Sequence, residues 1–196
     1  SSFTDYKKIK EFKNYIETIN YLLSQNFFVV RTGRAGSYKF DIDNNNFLDY
    51  PFSKIVSDEM DIYFASKCFF CISSGSGFDG LVRSFRRPVL FTNFVPIGYF
   101  QSFSKKNMTI FKHHIEKNTN KKLSVKEILK MDLISNLDGN LFEKKNVFFK
   151  ENTSDEILEA TKDMLQFINN DFKKSDFIQD ANVNNFFTKE IAKKKN

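Results

Sequence analysis

The chain has 196 residues, 41% of them hydrophobic, which allows one ordinary domain with a sizeable core. Its net charge of +6 could suggest nucleic acid, but the lysines are scattered among abundant Asn, Ile and Phe; the one dense basic run, Lys193 to Lys195, reads as a solvated tail. No apolar run approaches the ~20 residues needed to cross a bilayer and no signal-peptide pattern opens the chain, so the expectation is a soluble protein. Because the chain begins Ser1-Ser2 without Met, it reads as a domain or a partial sequence.

Residues 4–24 carry Tyr6, Ile9, Phe12, Tyr15, Ile16, Ile19, Leu22 and Leu23 at three- and four-residue spacing, which predicts a helix. A strand over 27–30 follows and delivers Arg31, Thr32 and Gly33 to its carboxyl end. An arginine there can pair bidentately with a diphosphate and stays charged at any working pH, or it can bond loop carbonyls as a structural residue. Residues 33–50 read as an irregular loop. Asp41, Asp43, Asn45 and Asn46 invite a metal reading, but as an EF-hand the loop fails, with Asn46 at the glycine position and Phe52 at the bidentate Glu position. Asx-rich loops are usually turns, and no metal is expected. Over 51–67 a helical stretch is predicted, with Ser57 as N-cap, Asp58 and Glu59 in the first turn, and Ile62, Tyr63 and Phe64 packed on a sheet.

The stretch from Cys68 to Asn93 organises the chain. CFFCI and PVLFT are short apolar runs bounded by turn formers, which suits strands of a parallel sheet buried on both faces, joined by a helix over 78–85. Ser73, Ser74, Gly75, Ser76 and Gly77 fall at the carboxyl end of the first strand, where the next helix presents unsatisfied N–H groups. Gly75, Gly77 and Gly80 fit G-x-G-x-x-G, but the acidic residue that should follow about 20 positions later is missing, and no Lys-Ser or Lys-Thr pair completes a Walker loop. What survives is a general cradle for a phosphorylated ligand, against a tight strand-to-helix turn with no ligand. Cys68 and Cys71 form a lone C-x-x-C, too little for zinc, and read as buried thiols of a reducing compartment.

Residues 94–106, with Pro96 and Gly98, read as a loop over the mouth of the site. Lys112, His113 and His114 follow, and the two adjacent histidines read as surface residues. Ser124 with Glu127 and Thr153 with Glu156 make two capping boxes, each ahead of an apolar helical pattern, and 147–149 reads as a short strand. Beyond Asn169 the chain is polar and Asn- and Lys-rich, with aromatics at Phe172, Phe177, Phe186 and Phe187, and folds back as a final helix or frays.

VVRTG at 29–33, LDY at 48–50, DIYFASKCFFCISSGSG at 61–77, RRPVLFTN at 86–93, LSVKEI at 123–128 and ENTSDEI at 151–157 together resemble a family of bacterial glycosyltransferases of surface-polysaccharide loci. More distantly the series is similar to the carboxyl-terminal lobe of GT-B enzymes and to the UDP-N-acetylglucosamine 2-epimerases of that fold. The resemblance implies an α/β fold: a Rossmann-like, three-layer parallel sheet over about 1–170, a tail or last helix over 171–196, and an acceptor lobe upstream. It further implies a nucleotide-diphospho-sugar as donor substrate, no cofactor and no catalytic metal, a surface-glycan or lipid-linked acceptor, and a cytoplasmic location that admits peripheral contact with the inner membrane. On this sequence Ser73, Ser74, Gly75, Ser76 and Gly77 would hold the diphosphate, and Arg31 beside Gly33 would offset charge on the leaving nucleoside diphosphate. Asn93 and Asp79 would touch sugar or ribose. The alternatives are a 2-epimerase-like enzyme and a non-catalytic nucleotide-binding module.

Overall fold

The computed structural model describes residues 9–33, 38–100 and 104–171. The chain is mixed α/β, with two parallel sheets and one antiparallel sheet. A 3-10 turn over Phe12–Tyr15 leads into α1 (Ile16–Ser24), so the regular α-helix is shorter than the apolar spacing predicts, and residues 4–8 of the expected helix lie outside the described ones. Next come β1 (Val29–Arg31) and β2 (Phe47–Asp49), parallel neighbours with Arg31 opposite Asp49. β2 lies within the stretch read as irregular: three residues behind an Asn-rich turn are too few to show a period.

A 3-10 turn over Tyr50–Phe52 leads to α2 (Asp58–Lys67), and Ser57 caps it as expected by accepting the Met60 N–H at 3.2 Å. The turn between them is fixed by Tyr50, whose buried hydroxyl donates to the Ser57 carbonyl and accepts the Ser57 N–H, each at 3.0 Å. The packing face of α2 differs from the reading: Ala65 is buried, whereas Ile62 and Tyr63 are 49% and 53% exposed. A short helix with three acids, Asp58, Glu59 and Asp61, beside its apolar residues has no single apolar stripe, and Ala, the smallest candidate, is the one that allows close approach to the sheet.

β3 (Cys71–Ser73), α3 (Gly77–Ser84), β4 (Val89–Phe94) and β5 (Asn107–Phe111) follow, with β3, β4 and β5 in that order in one parallel sheet. β3 is shorter than CFFCI because Cys68 caps the end of α2. All six residues of β4 are buried, as befits a central strand covered on both faces. The antiparallel sheet is β7-β6-β8, from β6 (His113–Glu116), β7 (Lys121–Lys122) and β8 (Val147–Lys150), so the expectation of a wholly parallel sheet is corrected for this part of the chain.

α4 (Val125–Lys130), α5 (Gly139–Lys144) and α6 (Ser154–Asn169) are the remaining helices among the described residues. Both capping boxes form as read: Ser124 and Thr153 accept the N–H of Glu127 and Glu156, and each Glu reaches back to the cap backbone. On α6, Ile157, Ala160, Thr161, Met164 and Leu165 are buried at the i, i+3, i+4, i+7, i+8 spacing of one helical face. Met164 packs with Leu90 of β4 beside Phe70, Ile72 and Met108, which lays α6 along the parallel sheet. Residues 97–99 do not lie over a ligand mouth: Ile97 is 3% exposed and joins the core of α4, α5 and β8, with the Gly98 N–H donating to the Ile134 carbonyl at 2.7 Å. The tail beyond Asp171 lies outside the described residues.

Candidate functional site

In parallel strands the carboxyl ends share one rim, and that rim gathers most of the expected residues. Arg31, Thr32 and Gly33 from β1 and its exit, and Ser73, Ser74 and Ser76 from the exit of β3, line one cavity of about 780 Å³. That volume is within the range of small-molecule sites. β1 and β3 are not hydrogen-bonded to each other; they belong to different ladders, and the cavity lies between them. Arg31 and the serines are at the carboxyl ends; Thr18, Tyr63 and Lys67 also line the cavity, and the rest of its wall is mainly apolar, with Phe27, Phe28, Phe69 and Phe70 from the residues ahead of the two strands.

Arg31 is held rather than free. Its Nη1 lies 3.1 Å from Asp49 Oδ1, and its guanidinium carbon is 6.0 Å from the Phe40 ring centre and 5.7 Å from that of Phe52. Parallel pairing of β1 and β2 brings Arg31 and Asp49 opposite each other, and Asp49 Oδ2 also accepts the Phe40 N–H at 2.9 Å. Asp49 thus fixes the arginine to the next strand and offsets part of its charge. Sequence reading gave Asp49 no role, although it stands inside the LDY motif.

The serine loop is organised around Ser73. Its Oγ donates to Asp79 Oδ2 at 2.9 Å and accepts the N–H groups of Gly75 at 3.2 Å and Ser76 at 3.4 Å. Two of the backbone donors expected to cradle a diphosphate are therefore turned onto the loop's own hydroxyl. Gly75 has φ +86°, and a Cβ there would come 3.1 Å from the Phe94 ring, so this position requires glycine. The N-terminus of α3 remains without a side-chain cap, since Ser76 occupies the cap position in extended conformation without such a bond. Ser74 and Ser76 line the cavity; Gly75 and Gly77 do not.

Asp79 and Asn93 are elsewhere engaged, and neither lines the cavity. Asp79 is 2% exposed and pairs with Arg83 at 3.1 Å, besides accepting from Ser73. Asn93, 1% exposed and with φ +53°, forms a reciprocal clasp with Asn152: each backbone N–H donates to the other's Oδ1 at 2.6 Å. Its Nδ2 donates to the Tyr15 hydroxyl at 3.1 Å, and that hydroxyl bonds Thr92 Oγ1 at 2.9 Å. Beside the clasp, the Glu151 carboxylate accepts the N–H groups of Lys10 and Glu11 and pairs with buried Lys112 at 3.4 Å. Burial pushes the Lys112 ammonium below its ordinary range, and Glu151 pulls it back. The signal for this network was present in Thr92-Asn93: two polar residues inside an apolar strand need buried partners.

The reading of His114 as a surface residue is corrected by its exposure of 2%, and Lys112 beside it is buried as well, at 4%. Alternation along β6 sends His113 to Glu156, at 2.8 Å, and His114 to the aromatic pair Phe142 and Phe149. His114 Nδ1–H donates to the Lys112 carbonyl at 3.1 Å, and burial lowers its pKa to about 4, so the ring is neutral at physiological pH. Burial raises Cys68 and pushes Cys71 to about 12, which keeps both as inert thiols.

Among the described residues no group of three or more His, Cys, Asp or Glu side chains is arranged to hold a metal, and no helix is long and apolar enough to cross a membrane. The cavity can thus offer a cation, hydroxyls and an uncapped helix start at one end and aromatic surface at the other. The chain matches no family model, no curated protein and no solved structure.

Proposed function

We propose that this chain is the donor-binding lobe of a glycosyltransferase that moves a sugar from a nucleotide-diphospho-sugar to a surface-glycan or lipid-linked acceptor. The observation that carries the reading is the convergence of Arg31 and Gly33 with Ser73, Ser74 and Ser76 on one cavity at the carboxyl ends of two parallel strands. Ligands of open α/β sheets collect at such ends, where neighbouring strands lead away in opposite directions. In this reading Ser74, Ser76 and the first turn of α3 receive the diphosphate. Arg31, oriented by Asp49, offsets the charge that develops as the nucleoside diphosphate leaves. Asp79 and Asn93 keep the loop and strand in shape and are not assigned to the ligand.

Calorimetric titration with a panel of GDP-, UDP- and ADP-sugars tests this. Micromolar to millimolar binding is expected in wild type, weakened at least about tenfold, or about 1.4 kcal/mol, by Arg31→Ala. Asp49→Asn keeps an acceptor for the Phe40 N–H but turns its amide nitrogen toward Arg31, so the arginine loses its orienting partner and binding should weaken, by less than in Arg31→Ala. Thermal melting of each variant separates lost binding from lost fold. Binding to none of these nucleotides by folded wild type, or binding indifferent to Arg31, would overturn the donor-site assignment and favour a module without a ligand.

A further inference from the structure

We propose that the gap between β1 and β3 is a slot for the extended carboxyl terminus of a peptide, which pairs its backbone with both strand edges and sets its α-carboxylate at Arg31. The sheet layer is interrupted there: β1 is bonded to β2 and β3 to β4, and β1 and β3 share no ladder. In a parallel ladder successive residues turn their N–H and C=O to opposite sides. The Val29 N–H donates to the Asn46 carbonyl at 2.8 Å and the Cys71 N–H to the Pro88 carbonyl at 3.0 Å, each towards the strand's own partner. The N–H and C=O of Val30 and Ile72 therefore face the other way, and both residues line the cavity. Among the described residues neither N–H has a partner, and the Ile72 carbonyl receives only the Cys71 thiol, 3.6 Å away.

Helices cover the slot on both faces of the sheet. Thr18, Ile19 and Leu22 of α1 line it on one, and Tyr63, Phe64 and Lys67 of α2 on the other. The two faces are told apart by β4: Leu90 packs beside Met164 of α6, the neighbour of α1, whereas Val89 and Phe91 pack with Ala65 of α2 and Val82 of α3. At the amino end the Phe27 ring meets those of Phe69 and Phe70, with centroids 5.6 and 6.4 Å apart. Above that closure the strands on either side have three residues each, which matches about three extended residues of a ligand.

An alkyl chain would suit the apolar wall but leave the peptide groups of Val30 and Ile72 without partners, which is costly once water is displaced. Another peptide backbone supplies a donor and an acceptor to each edge at strand spacing, as when an extended peptide adds to a sheet. Charge fixes its direction. Running parallel to β1 and β3, the peptide brings its carboxylate to the rim that holds Arg31, Ser74 and Ser76; running antiparallel, it would bring an ammonium group beside the guanidinium. Asp49 already bonds Arg31, through Nη1. The chain's own carboxyl terminus is a poor match, because Lys193, Lys194 and Lys195 precede its last residue. The inference stands on the strand edges and not on the nucleotide reading; since both ligands would use Arg31, a bound peptide would exclude a diphosphate.

The test uses the full chain and acetylated tetrapeptides ending in Val, Leu or Phe, each as free acid and as carboxamide. Calorimetry should show the acids binding and the carboxamides at least about tenfold weaker. Methylating the backbone nitrogens of the tightest acid keeps its carboxylate and side chains, and should also weaken it at least about tenfold. By NMR, amide exchange at Val30 and Ile72 should slow when an acid is added, while amides already bonded between β1 and β2 or β3 and β4 should not change. Ile72→Pro removes an N–H that lies outside the β3–β4 ladder and should lose binding. The methylated peptide needs no variant, so it decides the matter if Ile72→Pro fails to fold. No binding by any acid, equal binding of acid and carboxamide, or equal binding of the methylated peptide would overturn the proposal. So would slow exchange at Val30 and Ile72 without peptide, which would mean that the two edges already have partners. Decanoate binding more tightly than every peptide would also overturn it and give the slot to a lipid chain.

Discussion

Two polar clusters sit at the carboxyl ends of the parallel strands, and they are built to opposite ends. At the exit of β4 the N–H and both polar side-chain atoms of Asn93 are used: N–H and Oδ1 by Asn152, Nδ2 by Tyr15. At the exits of β1 and β3 the groups are satisfied only in part, around a cavity of about 780 Å³. A buried polar group left without a partner is costly, so a cluster that closes on itself serves stability, and one that keeps space beside a cation can serve a ligand. Position at the strand ends alone does not distinguish them; the partners do.

The largest expected effect is at the closed cluster. Asn152→Ala removes the acceptor for the Asn93 N–H and the donor to the Phe111 carbonyl at 2.9 Å, leaving only the bond from the residue-152 backbone N–H to Asn93 Oδ1. It should cost roughly 3 kcal/mol in urea unfolding, and a loss below about 1 kcal/mol would mean that water or rearrangement replaces the clasp. The Arg31→Ala variant should leave stability less affected than Asn152→Ala while losing nucleotide binding, and the opposite ranking would erase the contrast.

Next in size is an acid effect just outside the closed cluster. His114 has a folded pKa of about 4, below its ordinary 6.5, chiefly because it is buried. Between these values the unfolded chain binds the proton that the folded chain refuses, so stability falls as pH is lowered from about 6.5 and the loss levels off near 4. His114 should account for roughly 2–3 kcal/mol over that window, read as the part of the pH dependence of urea unfolding that disappears in His114→Gln. An equal slope in wild type and variant would show that the ring is not shielded from water.

The smallest effect belongs to the open cluster. Gly75→Ala forces a residue with Cβ into φ +86° and against the Phe94 ring, at a cost of about 1–2 kcal/mol by thermal melting. Because Gly75 does not line the cavity, nucleotide affinity should change less than in Arg31→Ala. A larger loss of affinity than of stability would instead make the loop's shape part of the site.

Local rules made much of this fold legible. Ser57, Ser124 and Thr153 announce their helices because a cap is a short-range bond between residues three apart. The serine loop and Arg31 were found because strand exits in parallel sheets are marked by turn formers after apolar runs. What stayed hidden depends on pairing. NMTIF and HHIE mix polar and apolar residues without clear alternation, and they become strands by lying beside β4 and β8. Asp49 gains its meaning from a register that places it opposite Arg31, and Asn93 from a partner 59 positions away. Adjacent histidines looked equivalent until the strand sent one to a carboxylate and the other between aromatic rings.

The clasp between Asn93 and Asn152 also sets the order in which the chain can be completed. Glu151, next to it, receives the N–H groups of Lys10 and Glu11, so a late segment secures an early one across |i−j| of 141 and 140 positions. A nascent chain that has reached only β5 lacks both connections, and a proteolytic product ending before Glu151 would keep β4 but leave Asn93 without its Asn152 partner. The segment through Asn152 is therefore part of what holds the carboxyl end of β4 and the amino-terminal segment in place.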